Sequence, residues 1–193
     1  MNRRIFIKGG RVTIRNLRVS DLGRVARWIN DPETAYLLGI RTTVTLDSQR
    51  TWHKNMMNDP TKLVAAIVIT RTGRHIGNVG IQNISEPDRN GALNVFIGDK
   101  KDRRRGYALE AVELFLRFCF TALDLERVCL LVHEENAAAR KLYEAAGFRK
   151  EGLLRRHEKY GGRRVNKVVM GVLRDEYFTM KPRNARETAR LKR

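Results

Sequence analysis

The chain has 193 residues, is 42% apolar and carries a formal net charge of +18. That length suits one compact domain, residues 1–180, followed by a basic tail at 181–193, and the apolar content excludes disorder throughout. No run approaches a membrane span and MNRRIFIKGGR is too polar for a signal segment, so a cytoplasmic protein with a polyanionic partner and no membrane partner is expected.

VTIRNL (12–17) alternates apolar and polar residues and reads as a half-buried strand. Ser20 can cap a helix in which Leu22, Val25, Ala26 and Ile29 share one face, and Pro32 is expected to end that segment. A second short helix is predicted over about 48–57. LVAAIVIT (63–70), HIGNVGIQNI (75–84) and ALNVFI (92–97) are separated by the turn sequences RTGR and EPDRNG, which predicts an antiparallel meander. From 107 to about 123 the apolar residues return at helical spacing. RVCLLV (127–132) is a continuous apolar run, as in a strand buried on both faces. Residues 136–146 read as a short helix stopped by Gly147. FRKEGLLRRHEKY, the turn Gly161–Gly162 and RRVNKVVMGVL read as a closing hairpin. The order predicts the α/β (α+β) class: a mixed, mostly antiparallel sheet flanked by about four helices. Cys119 and Cys129 sit in apolar runs and read as buried, reduced thiols. His53, His75, His133 and His157 fit no zinc spacing, so no metal is expected.

One stretch stands out. DKKDRRRGYALEA (99–111) crowds Lys100, Lys101, Arg103, Arg104 and Arg105 directly before Gly106. A loop that leaves a strand and enters a helix at a glycine presents backbone N–H groups with no partner inside the helix, and the helix dipole adds positive charge. Such an end binds phosphate, Gly106 permits close approach, and the arginines can add charge-assisted contacts. The charge pattern allows three readings: a phosphate-bearing cofactor site, a solvated basic loop, or a nucleic-acid patch. No Gly-Lys-Ser/Thr follows, so this is not a Walker loop. No aromatic residues interleave the cluster, as stacking modules require.

Arg103-x-x-Gly106-x-Ala108 resembles the Q/R-x-x-G-x-G/A signature of the GNAT acetyltransferase superfamily. ENAAARKLYEAAGFRKEG (135–152) is similar to that family's Asn-x-x-(Ala/Ser)-…-Leu-Tyr-…-Gly-Phe block, through Asn136, Ala139, Leu142, Tyr143, Gly147 and Phe148. VTIRNLRVSDL and the closing hairpin resemble the ribosomal-protein alanine and spermidine-type branch. The resemblance spans roughly residues 11–178. It implies an N-acetyltransferase that moves an acetyl group from its cosubstrate acetyl-CoA to a primary amine by direct attack. It implies a GNAT-like twisted sheet in which ALNVFI and RVCLLV splay apart. It further implies that Arg103, Arg104, Arg105, Gly106, Tyr107 and Ala108 wrap the CoA pyrophosphate, and that backbone groups of Val95, Phe96, Ile97 and Gly98 pair with the pantetheine arm. Asn136 would contact the pantetheine or the acceptor, and Tyr143 would protonate the departing thiolate. No covalent enzyme intermediate is needed, so the cysteines need no role. From the residues alone, Asn136 is also a helix cap, Tyr143 a core aromatic and Glu110 a structural hydrogen-bonding group.

The sequence departs from the family pattern in two places. Where many relatives carry an acidic residue, this chain has Leu93 followed by Asn94, so Glu86, Asp88 or a relayed water would have to serve as base. Arg104 stands where relatives often have glycine, and its β-carbon narrows the conformations open to the loop. For the acceptor, a peptide α-amine, above all on a ribosomal protein, ranks first, because a basic surface suits nearby ribosomal RNA. A small-molecule amine (polyamine, amino sugar or aminoglycoside) ranks second, with Asp31, Glu33 and Asp47 as candidates for an acidic pocket. A non-catalytic nucleic-acid-binding module using residues 99–105 and the tail KPRNARETARLKR is the rival from another class. The sequence leaves a homodimer open.

Overall fold

A computed structural model describes residues 4–180, and the predicted basic tail at 181–193 lies outside the described residues. In chain order the elements are β1 (Phe6–Lys8), β2 (Val12–Asn16), α1 (Leu22–Ile29), α2 (Pro32–Leu38), α3 (Leu46–Asn58), β3 (Leu63–Ile69), β4 (His75–Ser85), β5 (Asn90–Ile97), α4 (Tyr107–Thr121), β6 (Arg127–His133), α5 (Ala137–Ala146), β7 (Arg149–Tyr160), β8 (Arg163–Leu173) and α6 (Arg174–Met180), with short 3₁₀ turns at Val19–Asp21 and Lys100–Asp102. The eight strands form one sheet in the order β1-β2-β3-β4-β5-β6-β8-β7, with β1 and β7 outermost. Every pairing is antiparallel except β5 with β6. No helix among the described residues is long and apolar enough to cross a membrane.

Helices cover both faces. On one, Phe115 and Phe120 of α4, Tyr143 of α5 and Tyr177 of α6 pack with Ile14, Ile67, Val79 and Ile81. On the other, Leu22, Val25, Trp28 and Ile29 of α1 pack with Ala66 and Val68. Successive residues of β3 therefore serve opposite layers, which is why LVAAIVI is apolar without alternation. β1, α2 and α6 are short elements beyond those predicted. Pro32 does not end a helix but begins one: it fills the first turn of α2, and Asp31 caps that helix by accepting from the Thr34 N–H at 3.0 Å.

The central pair is splayed. β5 pairs with β6 only at Asn90–Arg127, Gly91–Val128 and Ala92–Cys129. Beyond that point β5 stays paired with β4 as far as Ile97, and β6 stays paired with β8 as far as His133. A V-shaped gap thus opens toward the carboxyl ends of the two parallel strands. β6 differs from its expected burial on both faces. Val128, Leu130 and Val132 are buried, but Leu131 is 46% exposed and Cys129 is only half-buried.

Candidate functional site

β5 delivers the chain into the basic loop through Gly98. A β-carbon there would overlap the Trp28 ring, so the close crossing of α1 requires glycine. The Trp28 indole N–H donates to Asp99 at 3.0 Å. Asp102 is buried and accepts two 2.7 Å hydrogen bonds from Arg74, whose guanidinium holds the carboxyl below the usual carboxylate range. The two acidic residues of the stretch therefore fasten it to α1 and to the β3–β4 turn. Arg103 folds back as well: it donates to Ile97 O (3.2 Å), Gly98 O (3.3 Å) and Thr34 Oγ1 (2.8 Å), and pairs with Glu33 at 3.1 Å. Lys100 pairs with Asp31 at 3.5 Å and Glu33 at 3.3 Å. Asp31 and Glu33, expected as part of an acidic acceptor pocket, act instead as anchors of this loop, and Asp47 pairs with Arg50 at 2.9 Å on the surface. Arg104 and Arg105 face solvent.

α4 begins at Gly106, which has φ 78° and no side-chain cap. The first helical hydrogen bond runs from Glu110 N to Gly106 O at 3.2 Å, so the N–H groups of Tyr107, Ala108 and Leu109 have no carbonyl to meet inside the helix. Arg11 donates to the Arg105 carbonyl and lies 4.7 Å from the Tyr107 ring centroid. Glu110 accepts from the Arg11 and Val12 N–H groups at 2.9 and 3.3 Å, so it ties β2 to the helix start. An unpaired strand edge at 93–97 leads into free helix N–H groups beside two exposed guanidiniums. That layout fits an amide-bearing arm ending in a diphosphate, as in acetyl-CoA.

Arg104 sits at φ 58°, the left-handed region that a glycine would occupy without strain. Glycine would relieve that strain but give the unfolded chain more freedom, by about 1 kcal/mol each way. Arg104→Gly is therefore expected to leave Tm nearly unchanged while weakening CoA binding about tenfold through loss of a charge-assisted contact. Calorimetric titration with CoA alongside thermal melts checks this.

Asn136 caps α5, its side-chain oxygen accepting from Ala139 N–H at 3.0 Å, which leaves its amide NH2 to donate elsewhere. Tyr143 lies two turns further along, buried, with its ring 5.6 Å from that of Phe148. Burial alone pushes its phenol up to about 12. Both residues belong to the α4–α5 layer, the same side of the sheet as the free helix N-terminus.

A cleft of about 510 Å³ lies at the end of the sheet near α2, lined among others by Tyr36, Glu134, Glu135, Tyr160, Arg163 and Arg164. Tyr36 packs 4.8 Å from the His133 ring and 4.9 Å from Tyr160, and its hydroxyl donates to Glu135. Asn166 Nδ2 donates to Glu134 at 2.8 Å. Sequence reasoning missed these residues because α2, the β6–α5 loop and the β7–β8 hairpin meet only in the fold. Glu86 and Asp88 lie in the turn before β5, beyond the closed end of the V, with Asp88 bonded to Ser85 at 2.6 Å. The open end at Ile97 is seven residues past Asn90, about 23 Å at a strand's rise, so neither carboxylate stands near it.

Residues 11–149 match the family model described as an acetyltransferase (GNAT) domain. The uncharacterized N-acetyltransferase p20 of Bacillus licheniformis is 30% identical over 171 residues, 86% of this chain and 95% of its own. The spermidine N(1)-acetyltransferase of Escherichia coli K12 is 27% identical over 58% of this chain and 59% of its own. Among solved structures, the spermidine N-acetyltransferase of Vibrio cholerae in complex with CoA and spermine matches with a TM-score of 0.83 at 23% identity, covering 88% of this chain and 99% of that one. That last likeness speaks for the fold.

Proposed function

The chain belongs to the GNAT acetyltransferase family, and from that premise we propose that this acetyl-CoA-dependent N-acetyltransferase acts on the primary amine of a small cationic molecule. The carrying observation is the pair Glu134 and Glu135, set with Tyr36 and Tyr160 in a cleft beside the open end of the V. Carboxylates and aromatic faces both attract an ammonium group. Arg163 and Arg164 stand two to three residues further out along β8 than Asn166, about 7–10 Å at a strand's rise, so the acidic end is the inner one. Relatives whose acceptor is known by name act on spermidine, which favours the small-molecule amine over the ribosomal-protein α-amine ranked first from the sequence.

Bound acetyl-CoA supplies an acetyl thioester whose carbonyl becomes an oxyanion when an amine adds. Arg104, Arg105 and the N–H groups of 107–109 hold its phosphates. Arg103 contributes its backbone and positions the loop. The free edge at 93–97 hydrogen-bonds the arm, and an N–H there stabilises the oxyanion. The Asn136 amide orients the arm or acceptor, and Tyr143 donates to the departing sulfur.

Thiol release from acetyl-CoA across polyamines, amino sugars, aminoglycosides and peptides tests the reading. Transfer to peptides alone, or to nothing, overturns it; salt-sensitive RNA binding without turnover would favour the nucleic-acid module. Glu134→Gln and Glu135→Gln are each expected to raise the acceptor KM about tenfold and leave the acetyl-CoA KM unchanged, as steady-state kinetics would record.

A further inference from the structure

Among the described residues, His75 Nδ1, His133 Nδ1 and Arg140 Nε are buried without a hydrogen-bond partner. All three are enclosed by the fold. His75 Nδ1 faces the Asp21 carboxylate at 3.4 Å, and His133 Nε2 lies 3.3 Å from Glu158, itself buried beside the β7–β8 register slip. Asn94 is the opposite case. No hydrogen bond engages its carboxamide, yet neither of its polar atoms is buried, so both reach solvent. That leaves one acceptor oxygen and one NH2 group free to meet a ligand.

Asn94 stands on β5 two residues past Ala92, the last residue of that strand to pair with β6. The matching step on β6, from Cys129, leads to Leu131. Phe96 packs against Trp28 of α1, so by alternation Asn94 faces the α1 side. Gly80, its partner on β4, agrees: a β-carbon there would stand 3.2 Å from Asn94 Oδ1 and 3.1 Å from Val64, which belongs to the α1 layer. Leu130 and Val132 are buried in the α4 layer, so Leu131 between them also faces the α1 side, where it is 46% exposed. Asn94 and Leu131 are therefore the first same-face pair beyond the point where the two strands part. His133 faces the same way two residues further on, and Tyr36 of the acceptor cleft packs 4.8 Å from its ring. Cleft, Leu131 and Asn94 thus lie on one face, opposite to Tyr143. With the phosphates of acetyl-CoA held at 104–109, its arm runs back along the free edge from 97 to 93, about 13 Å at a strand's rise. The acyl end then comes to lie beside Asn94.

We propose that the Asn94 carboxamide oxygen accepts a hydrogen bond from the acceptor nitrogen at the acyl carbon, and that Leu131 is the apolar wall against the carbon chain behind that nitrogen. This rests on the acetyltransferase reading above. Ammonium and free amine both carry N–H donors, so Asn94 holds either form. A carboxamide takes no proton, and the one that the ammonium sheds passes to water. With an N–H held by Asn94, the freed lone pair is turned toward the acyl carbon.

The test is steady-state kinetics with spermidine, or with the best acceptor of the panel if that is another, beside calorimetric titration with CoA. Asn94→Leu keeps the size of the side chain but cannot hydrogen-bond, and should lower kcat/KM for the acceptor about tenfold. Asn94→Asp keeps an accepting oxygen and should stay within about threefold of wild type. Leu131→Lys sets a like charge beside the ammonium and should raise the acceptor KM about tenfold. CoA affinity should stay within about twofold of wild type in all three. Equal losses in Asn94→Leu and Asn94→Asp would leave Asn94 a packing role, and no loss in either would remove it from the site; both results overturn the proposal. An unchanged acceptor KM in Leu131→Lys overturns the apolar wall. Should Asn94→Leu lose CoA binding through misfolding, Asn94→Ser, which is smaller and keeps a hydroxyl oxygen, is compared with Asn94→Ala by the same readout, and equal rates in those two overturn the proposal. A failed acetyltransferase reading looks different, since wild type itself would show no transfer.

Discussion

Tyr143→Phe is expected to lower kcat by about 10² to 10³-fold, by nearly the same factor at every pH from about 6 to about 10. The uniformity follows from burial: with its phenol pushed up to about 12, Tyr143 holds its proton throughout that range. A phenol this weak would not readily protonate a thiolate in water. A thiol held in equally poorly solvated surroundings would be raised in the same way, which narrows the mismatch. The substitution removes one oxygen and leaves the packing against Phe148 in place, so Tm and CoA affinity should stay close to wild type. Rate–pH profiles of both proteins check this. An unchanged kcat would remove Tyr143 from the chemistry, and a deficit that varies with pH would assign it another role.

Asp102→Asn carries the largest expected effect on stability. Asp102 is buried, and both its oxygens accept from Arg74, whose side chain is 37% exposed. Removing one partner of a buried pair costs about 3–5 kcal/mol, and the partial exposure of Arg74 brings this to about 2 kcal/mol. For a chain of this size that is a drop of about 4–8 °C in Tm. The pair also holds the loop, so the acetyl-CoA KM should rise while the acceptor KM does not. The pH sign is fixed by the direction of the shift. With its folded pKa lowered, Asp102 contributes stability above its unfolded value, near 4, and loses it as pH falls through the folded value. Acid melts of the variant should therefore fall less steeply than those of wild type.

Much of the fold was legible because its long elements state their period plainly. The meander of β3 to β5 and the helix after Gly106 both did so, and the block from Asn136 to Phe148 carried the family signature. Pro32 misled because proline marks either end of a helix. The neighbouring Asp31 and Thr34, a cap and its partner, were the signal that it opens one. Within the basic run, charge could not tell which cations meet phosphate. Asp31, Glu33 and Thr34 engage Lys100 and Arg103 from a distant helix, and no spacing reveals that. His133 and Glu158 are 25 residues apart and meet only because a bulge shifts one strand's register.

The outermost strand, β7, bears on the charge of the whole chain. One side of its 12 residues has no neighbour in the sheet, and an exposed edge of that length can template pairing with another chain. Arg149, Lys150, Arg155, Arg156 and Lys159 lie along it. Glu151 and Glu158 offset part of that charge, but two such edges approaching each other would still bring a net excess of like charge together before a hydrogen bond could form. Part of the +18 is therefore a guard against aggregation, independent of any polyanion, and acidic replacements along β7 should preserve solubility while neutral ones erode it.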